Sequence, residues 1–500
     1  MTVSLPVLLP FITGILLLLL RENRSLRRTI AVLSLLLQLG AAMVLAGTAF
    51  SSGMEVMHLG SWKDPIGIVL VGDRTASILV ILALLVTLTS TLAGFSERGP
   101  AQGNPMRLPL VQFLLTGIQL SFLTGDLFNL FVAFEVMLLS SYGLMTLEAE
   151  DGKLKQAYPY VLLNLLSSAL FLAACGYTYA LFGTLNFAGI AEAAAALEST
   201  SGGPARIALL TAILAFVFSI KAGMFPLYYW LPNSYPTLPP SLGALYSGLL
   251  TKVGIYLLLR LLGTVMPPGQ EGLYLLIAWL GGATMFFGVL GPISRIGIRE
   301  ILAFHVLSQI GFMLFAIGIF TPFAFAAALF YMIHNIIVKS GLFLIASGVM
   351  LRFHTDNLKR IGGLWRSQPA LALAFLVLAL SLAGLPPLSG FWAKLWILLE
   401  GLSEGYYVLV ALSLVTSILT LVSMMKIWFG AFWQPLPSGS VERPAKAGLL
   451  GTALALMVIV SLGVSVGVAP IWEACQEAAS ELFTPSLYIE AILHRVPEAP

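Results

Sequence analysis

Charge and cysteine are both scarce in this sequence. Only 10% of its 500 residues are charged, and the formal net charge is +3. The two cysteines, Cys175 and Cys475, lie far apart, and neither has a CxxC partner. A disulfide framework, a zinc site and an iron–sulfur cluster are therefore not expected, and the charge balance does not indicate binding to nucleic acid.

The sequence also lacks the motifs of common catalytic and cofactor sites. It contains no P-loop, no Gly-rich dinucleotide turn, no catalytic nucleophile motif and no cluster of metal ligands. We therefore expect no cofactor and no metal site, and no chemistry of the chain's own beyond the movement of protons and ions.

Apolar residues are abundant: 58% of the chain is hydrophobic, and the mean hydropathy is +0.95. Continuous apolar runs long enough to cross a bilayer lie near residues 3–20, 29–49, 74–95, 108–124, 127–147, 157–182, 206–230, 237–262, 271–291, 299–319, 321–350, 367–398, 404–433 and 446–469. The fold class that we predict is an all-α polytopic membrane protein with about 14 transmembrane helices.

The distribution of basic residues predicts the orientation in the membrane. No basic residue precedes the first apolar run, whereas Arg21 and Arg24 follow it directly, which is the reverse of a cleavable signal peptide. We expect an uncleaved first span with the N-terminus outside. When the spans alternate from there, most of the 26 basic residues fall in cytoplasmic connections, as the positive-inside rule requires.

Two polar segments are predicted to lie outside the membrane. Residues 51–72 contain Gly, Trp and β-branched residues and are compatible with an extracellular hairpin. The tail after Ala469 is expected along the outer surface.

Ionisable residues lie inside several of the predicted spans, where a charge costs about 3 kcal/mol or more. Candidate members of a proton relay are Glu135, Lys221, Lys252, His334, Lys339 and Lys394. A desolvated lysine or histidine can release and regain a proton, and neighbouring members can exchange protons through water. We call these six side chains the relay residues.

Several ionisable residues in or near the spans have a structural alternative. Glu135 can belong to an ion pair that fixes helix packing, and His305 is as compatible with packing as with a relay. Asp126 is a secondary candidate that is better explained as a helix cap. Lys426 lies close enough to the end of its span to reach the headgroups.

Prolines interrupt two of the lysine-bearing spans. Lys221 precedes a stretch with Pro226 and Pro232, and Lys394 follows the Pro386-Pro387 sequence. Broken helices in corresponding positions of two halves are typical of transport sites.

Several of these segments together resemble a known family. They are DLFNLFVAFEVMLLSSYGL, SIKAGMFPLYYWLPNSYPTLPPSLGALYSGLLTKVGIYLLLR, ILAFHVLSQIGF, MIHNIIVKSGLFLIASG and AGLPPLSGFWAKLWIL. They are similar to the antiporter-like subunits shared by Mrp cation/proton antiporters and respiratory complex I. The resemblance covers roughly residues 3–470. A lysine at position 394, where the most similar complex I subunit usually has glutamate, favours the Mrp type.

The resemblance implies a division of the chain and a role for each relay residue. The expected units are a three-helix segment (1–107), two inverted five-helix repeats (108–262 and 271–433) with broken seventh and twelfth helices, and a C-terminal helix with an external tail (446–500). Glu135 and Lys221 match the acid–lysine pair of the family, and Lys252 matches its bridging lysine. His334 and Lys339 match the central relay, and Lys394 the terminal lysine.

Three functions remain open at this point. The first is a proton-translocating subunit of a multi-subunit Na⁺ (or K⁺)/H⁺ antiporter in the prokaryotic cell membrane, with other membrane subunits as partners. The second is a proton-pumping membrane subunit of a complex I-like quinone oxidoreductase or membrane-bound hydrogenase. The third is a membrane scaffold whose buried charges do not titrate.

Overall fold

Helices dominate the fold, because a backbone in lipid must satisfy its N–H and C=O groups within each segment. The computed structural model describes residues 2–62, 67–97, 103–148, 154–439, 441–444 and 448–494. Within these residues, twelve helices are long and apolar enough to cross a membrane, and Arg107–Leu123 and Pro369–Ala383 are shorter apolar helices. The predicted class of polytopic helical membrane protein is confirmed, whereas the exact number of about 14 spans stays a prediction.

Among the described residues, the first half of the chain contains eleven α-helices and one hairpin. The helices are α1 (Leu5–Leu19), α2 (Arg24–Ser51), α3 (Arg74–Gly94), α4 (Arg107–Leu123), α5 (Leu127–Glu148), α6 (Leu154–Phe182), α7 (Phe187–Glu198), α8 (Gly203–Ala222), α9 (Trp230–Ser234), α10 (Pro240–Leu245) and α11 (Thr251–Arg260). Strands β1 (Glu55–His58) and β2 (Val69–Gly72) pair antiparallel between α2 and α3. The predicted hairpin is therefore present.

The described part of the second half contains ten further α-helices. They are α12 (Glu271–Ser294), α13 (Ile298–Ile319), α14 (Pro322–Phe353), α15 (Leu364–Ser367), α16 (Pro369–Ala383), α17 (Ser389–Ser403), α18 (Tyr407–Ile427), α19 (Gly448–Val466), α20 (Val468–Leu482) and α21 (Pro485–Ile489). π-helical turns at Tyr246–Leu250, Leu261–Val265 and Trp428–Trp433 extend the neighbouring α-helices.

Two helices are broken where the sequence predicts it. Helix α8 ends at Gly223, whose φ of 80° is left-handed, and helical structure resumes at Trp230. Helix α16 ends at Gly384, with a φ of 91°, and α17 begins at Ser389. Glycine adopts this conformation without steric cost, so it ends each helix just before a proline-containing loop. Both breaks are confirmed, while the division into inverted repeats and the four unit boundaries stay predictions.

Helix α14 is the central helix of the bundle. It packs against α3, α10, α13, α16, α17, α19 and α20, and nearly every side chain from Ala324 to Val349 is buried. Such a helix is hydrophobic on all sides because protein rather than lipid surrounds it. His334 and Lys339 lie on it, so they are far from the lipid.

Small residues bring the backbones of adjacent helices into contact. A Cβ added at Gly254 on α11 would lie 2.5 Å from the backbone nitrogen of Ala222 and 2.7 Å from the carbonyl oxygen of Phe218 on α8. Only glycine permits this distance, as in many membrane helix pairs. The contact joins the two helices that carry Lys252 and Lys221.

Carboxylate–arginine pairs hold the two ends of the bundle. At the basic end, which we define by Arg107, Arg299 and Arg352, Arg107 pairs with Glu148 at 3.0 Å. Arg299 pairs there with Asp356, also at 3.0 Å. Burial raises the pKa of the Asp356 carboxyl, but the charge and hydrogen bonds of Arg299 lower this pKa by more. The pKa of Asp356 therefore lies below its usual value. At the opposite end, Arg260 forms an ion pair with Asp73.

The C-terminal tail covers this opposite end. Helix α20 buries Cys475, Ala478 and Leu482 against α14 and α3, and Glu481 pairs with Arg74 at 3.1 Å. The Arg260 guanidinium lies 5.2 Å from the ring centre of Tyr488. The tail thus packs into the end of the bundle more deeply than the predicted position along the surface.

We predict that replacing Gly254 with valine separates α8 from α11. The added atoms have no space, and overpacking of this kind costs about 1–3 kcal/mol. The melting temperature of the protein should fall. Gly176→Val is the matched control, because Gly176 lies on an exposed face of α6 with nothing within 4 Å of an added Cβ. Equal melting temperatures for the two variants would contradict the close packing.

We also predict that docking of the tail depends on pH. Burial and the neighbouring Asp73 raise the pKa of the Glu481 carboxyl to about 7, and its pair with Arg74 offsets this only in part. Because the pKa is higher in the docked tail than in a solvated one, docking is strongest at low pH. It weakens as the pH rises toward and through about 7.

Limited proteolysis of the tail measures this dependence. Protection of α20 should decrease between about pH 5 and pH 7 and then level off. The Glu481→Gln variant should show no such decrease, whereas the exposed control Glu473→Gln should behave as the wild type. A decrease that persists in Glu481→Gln would assign the effect to another group.

Candidate functional site

Lys221 and Glu135 lie near each other without direct contact. The Nζ of Lys221 donates to the backbone oxygen and Oδ1 of Asn164 at 3.4 and 3.3 Å and to Ser168 Oγ at 3.5 Å. It also lies 5.1 Å from the ring centre of Phe134. Glu135 attracts the ammonium group, but no ion pair within 4.0 Å joins these two described side chains. We call these two side chains the acid–lysine pair of this chain.

Lys252 is held by a carbonyl group that a π-helical turn presents. Its side chain is 0% exposed, and its Nζ donates to the backbone oxygen of Ser247 at 2.7 Å. Ser247 belongs to the turn Tyr246–Leu250, directly before α11. π-helical turns shift the carbonyl pattern of a helix and are frequent at functional sites. Here the turn supplies the oxygen that the lysine needs.

His334 and Lys339 occupy the middle of α14, and both are 0% exposed. The Nδ1 of His334 and Ser389 Oγ form a hydrogen bond of 2.9 Å, whereas its Nε2 has no partner among the described residues. Lys339 donates to the backbone oxygen of Leu302 at 3.5 Å. The amide of Asn335 is also buried without a partner in the described chain. These unpaired atoms are suited to hydrogen bonds with water.

His305 lies on α13 beside this group. Its Nε2 and Ser423 Oγ form a hydrogen bond of 2.6 Å, and its Nδ1 is unpaired within the described residues. Tyr331 donates to Gln309 Oε1 at 2.5 Å one turn further along α13. His305 is therefore part of a buried polar group rather than an isolated core histidine.

Lys394 lies on α17 and reaches back to the end of α16. Its Nζ donates to the backbone oxygen of Ala383 at 2.9 Å and lies 5.1 Å from the ring centre of Phe312. The carbonyls at a helix C-terminus lack intrahelical partners and carry partial negative charge. Gly390 makes the fit possible, because a Cβ there would lie 1.8 Å from the carbonyl oxygen of Ser381.

Five of these groups form one electrostatic cluster, which we call the second-half cluster. It consists of Lys252, His305, His334, Lys339 and Lys394. Lys339 interacts with Lys252 and Lys394, and each histidine interacts with Lys339 and Lys394. The cluster includes no carboxylate. A proton on one member therefore disfavours a proton on the next.

The acid–lysine pair is a separate group from this cluster. The hydrogen-bond partners of Lys221 lie on α6, and that of Lys252 lies in the π-helical turn before α11. The backbone contact at Gly254 is where the two lysine-bearing helices meet. The structure thus brings the predicted residues into two groups on either side of one helix contact.

Asp126 and Lys426 each contact a helix end. Asp126 Oδ1 accepts a hydrogen bond of 2.7 Å from the backbone N–H of Asn129, so it caps the start of α5, as the sequence indicates. Lys426 donates to the carbonyl oxygens of Pro292, Ile293 and Arg295 at the end of α12. It holds a helix end near the surface.

Sequence reasoning missed Glu97, which joins three helices at the basic end. Its carboxylate accepts hydrogen bonds of 2.8 Å from the backbone N–H of Ser241 and from the hydroxyl of Ser347, and it pairs with Arg107 at 3.3 Å. Glu97 lies just after an apolar run, so nothing in the sequence indicates that it is buried.

No group of three His, Cys, Asp or Glu residues suited to a metal ion occurs in the described chain.

We predict that Lys339→Met raises the melting temperature of the protein. Lys339 is buried among like charges and is held by one long hydrogen bond, so an apolar side chain of similar length should stabilise the fold by about 1 kcal/mol or more. Lys359→Met, at an exposed position, should leave it unchanged. A lower melting temperature for Lys339→Met would favour a structural role.

The chain is similar in sequence to known membrane proteins. Residues 124–420 match the family described as NADH:quinone oxidoreductase/Mrp antiporter, TM. The chain is 40% identical over 493 residues to the D subunit of the Na⁺/H⁺ antiporter of Alkalihalophilus pseudofirmus, covering 98% of this chain and 99% of that protein.

Solved structures show the same fold. A chain of the Mrp complex from Dietzia sp. DQ12-45-1b superposes with a TM-score of 0.89 at 32% identity, with 98% of this chain and 99% of that chain covered. A chain of the membrane-bound sulfane sulfur reductase, an archaeal respiratory membrane complex, has a TM-score of 0.90 at 25% identity, with the same coverage. The chain is a multi-pass membrane protein that belongs to the NADH:quinone oxidoreductase/Mrp antiporter transmembrane family.

Proposed function

We propose that this chain is the proton-translocating subunit of a multi-subunit Na⁺ (or K⁺)/H⁺ antiporter. It would move protons along Glu135, Lys221, Lys252, His334/Lys339 and Lys394, coupled to cation exchange in an assembly with other membrane subunits. The relative named as the D subunit of a Na⁺/H⁺ antiporter and the Mrp complex support this assignment. We place the protein in the prokaryotic cell membrane with its N-terminus outside.

The observation that carries the proposal is how the buried cations are held. The arginines Arg107, Arg260 and Arg299 each pair with a carboxylate. In contrast, the described hydrogen bonds of Lys252, Lys339 and Lys394 all go to backbone carbonyls. A scaffold would neutralise its buried charges in pairs, as these three arginines do. A lysine held by a carbonyl can lose its proton without leaving a carboxylate unpaired.

Protons would move stepwise through the second-half cluster. A proton that arrives at Lys339 repels those on Lys252 and Lys394, which favours release in one direction or the other. His334 and His305, each with one ring nitrogen unpaired among the described residues, can pass protons between neighbouring waters. The negative charge of Glu135 attracts the ammonium group of Lys221, whereas the cations of the second-half cluster repel one another.

The likeness to the sulfane sulfur reductase favours one alternative. In that case the chain would be a proton-pumping membrane subunit of a complex I-like oxidoreductase or membrane-bound hydrogenase. The proteins that copurify with the chain distinguish the two. Iron–sulfur or nickel proteins would support the redox enzyme, and small membrane subunits alone would support the antiporter.

We predict that Glu135→Gln and Lys221→Ala impair transport by the complete complex. In sealed vesicles, Na⁺ or K⁺ should collapse an imposed ΔpH, and each variant should slow this by on the order of 100-fold. Glu192→Gln, at an exposed position of α7, is the matched control and should transport at the wild-type rate. Wild-type rates for Glu135→Gln and Lys221→Ala would contradict the proposed roles.

A further inference from the structure

A small pocket at the basic end lies outside both groups of relay residues. It has a volume of about 50 Å³ and lies between the start of α2, the end of α3 and the start of α4. Its basic lining residues are Arg24, Arg27, Arg28 and Arg107. A cavity volume of about 10–15 Å³ by this measure holds one water molecule, so the pocket can admit a group of a few heavy atoms.

Positive charge in this pocket exceeds the negative charge around it. Arg107 pairs with Glu97 and Glu148, at 3.3 and 3.0 Å. No ion pair with a carboxylate is formed by Arg24, Arg27 or Arg28 within the part of the chain that the structure describes. Arg28 experiences repulsion from the other three arginines. An anion in the pocket would relieve this repulsion.

Arg27 is the strongest indication that the pocket takes a ligand. It is only 4% exposed, yet its Nε has no hydrogen-bond partner among the described atoms. A buried guanidinium N–H without a partner is unfavourable, because the group has lost its hydrogen bond to water. The start of α4 also favours an anion in this pocket. Helix α4 begins here at Arg107 without a side-chain cap, so the positive end of its dipole faces the pocket region.

The surface beside the pocket favours a lipid as the source of the anion. Leu26, Leu33 and Leu37 are 41%, 60% and 62% exposed. Their spacing of seven and four residues places them along one face of α2, which runs from the pocket into the predicted membrane. Acyl chains can cover this face while the headgroup lies among the arginines.

We propose that this pocket binds the phosphate group of an anionic glycerophospholipid. Arginine recognises phosphate by paired N–H···O bonds, and Arg27 would donate its unpaired Nε–H to a phosphate oxygen. Half-buried Arg28 and exposed Arg24 would complete the site from the solvent side. The lipid would hold the start of α2 against the end of α3 and the start of α4 at the membrane surface.

Binding of defined lipids to the purified complex tests this proposal. The complex is delipidated in detergent and titrated with short-chain phosphatidylglycerol, with phosphatidylcholine of equal chain length, and with inorganic phosphate, and bound species are counted by native mass spectrometry. We expect saturable binding of phosphatidylglycerol that is weaker by about tenfold or more in Arg27→Gln. Arg206→Gln, an exposed arginine at the start of α8, should bind as the wild type.

Each alternative outcome overturns the proposal in a defined way. Equal binding of phosphatidylcholine would remove the charge requirement, and equal occupancy by inorganic phosphate without lipid would assign the pocket to a soluble anion. Unchanged phosphatidylglycerol binding in Arg27→Gln would place the lipid elsewhere. If Arg27→Gln fails to assemble, the half-buried Arg28→Gln variant answers the same question, because its side chain is less needed for packing.

Discussion

The cost of an ammonium group inside a bilayer is the constraint on which this structure depends. Desolvation alone would expel a lysine from the membrane interior, so each buried lysine needs oxygen atoms close to its Nζ. For two of the lysines, the chain supplies these oxygen atoms from irregular backbone. Lys394 takes the carbonyl of Ala383 at the end of a broken helix, and Lys252 takes that of Ser247 in a π-helical turn.

For Lys252 and Lys394, the irregular backbone and the buried lysine therefore form one arrangement, because the first supplies the carbonyl that the second needs. A carbonyl inside a continuous α-helix already accepts one bond from the helix, whereas an end or a π-helical turn leaves a carbonyl without that bond. Lys221 and Lys339 use the second lone pair of carbonyls inside α6 and α13. Gly384, with its left-handed φ, ends α16 so that the Ala383 carbonyl is available to Lys394. Gly223 ends α8 two residues after Lys221, which places this lysine in the last turn, where the helix dipole favours a cation.

The two kinds of basic residue in this protein serve different purposes. Arg107, Arg260 and Arg299 lie at the ends of the bundle, in pairs with carboxylates that fix helix termini. The four interior lysines, Lys221, Lys252, Lys339 and Lys394, use carbonyls, a hydroxyl and an amide. Arginine keeps its proton under all physiological conditions, whereas a desolvated lysine can lose it. This difference is the physical reason why we propose proton movement for the interior lysines and a structural role for the three paired arginines.

Much of this could be predicted from the sequence, because the strongest signals are local. Apolar runs indicate helices, and the prolines with Gly223 and Gly384 indicate where two of them break. The partners of the lysines were not predictable. The π-helical turn that contains Ser247 depends on tertiary packing, and Glu97 lies outside any apolar run although the fold buries it. The depth of tail packing also escaped prediction, since few polar signals distinguish a docked helix from a surface one.

The most direct test of the central claim is the charge state of the buried lysines themselves. Nuclear magnetic resonance of the intact complex, with ¹⁵N at lysine Nζ, distinguishes the ammonium form from the neutral amine. We predict that at least one of Lys221, Lys252, Lys339 and Lys394 interconverts between the two forms across the physiological pH range. The signal of the exposed Lys359 is the reference. Four permanently charged interior lysines would contradict the account.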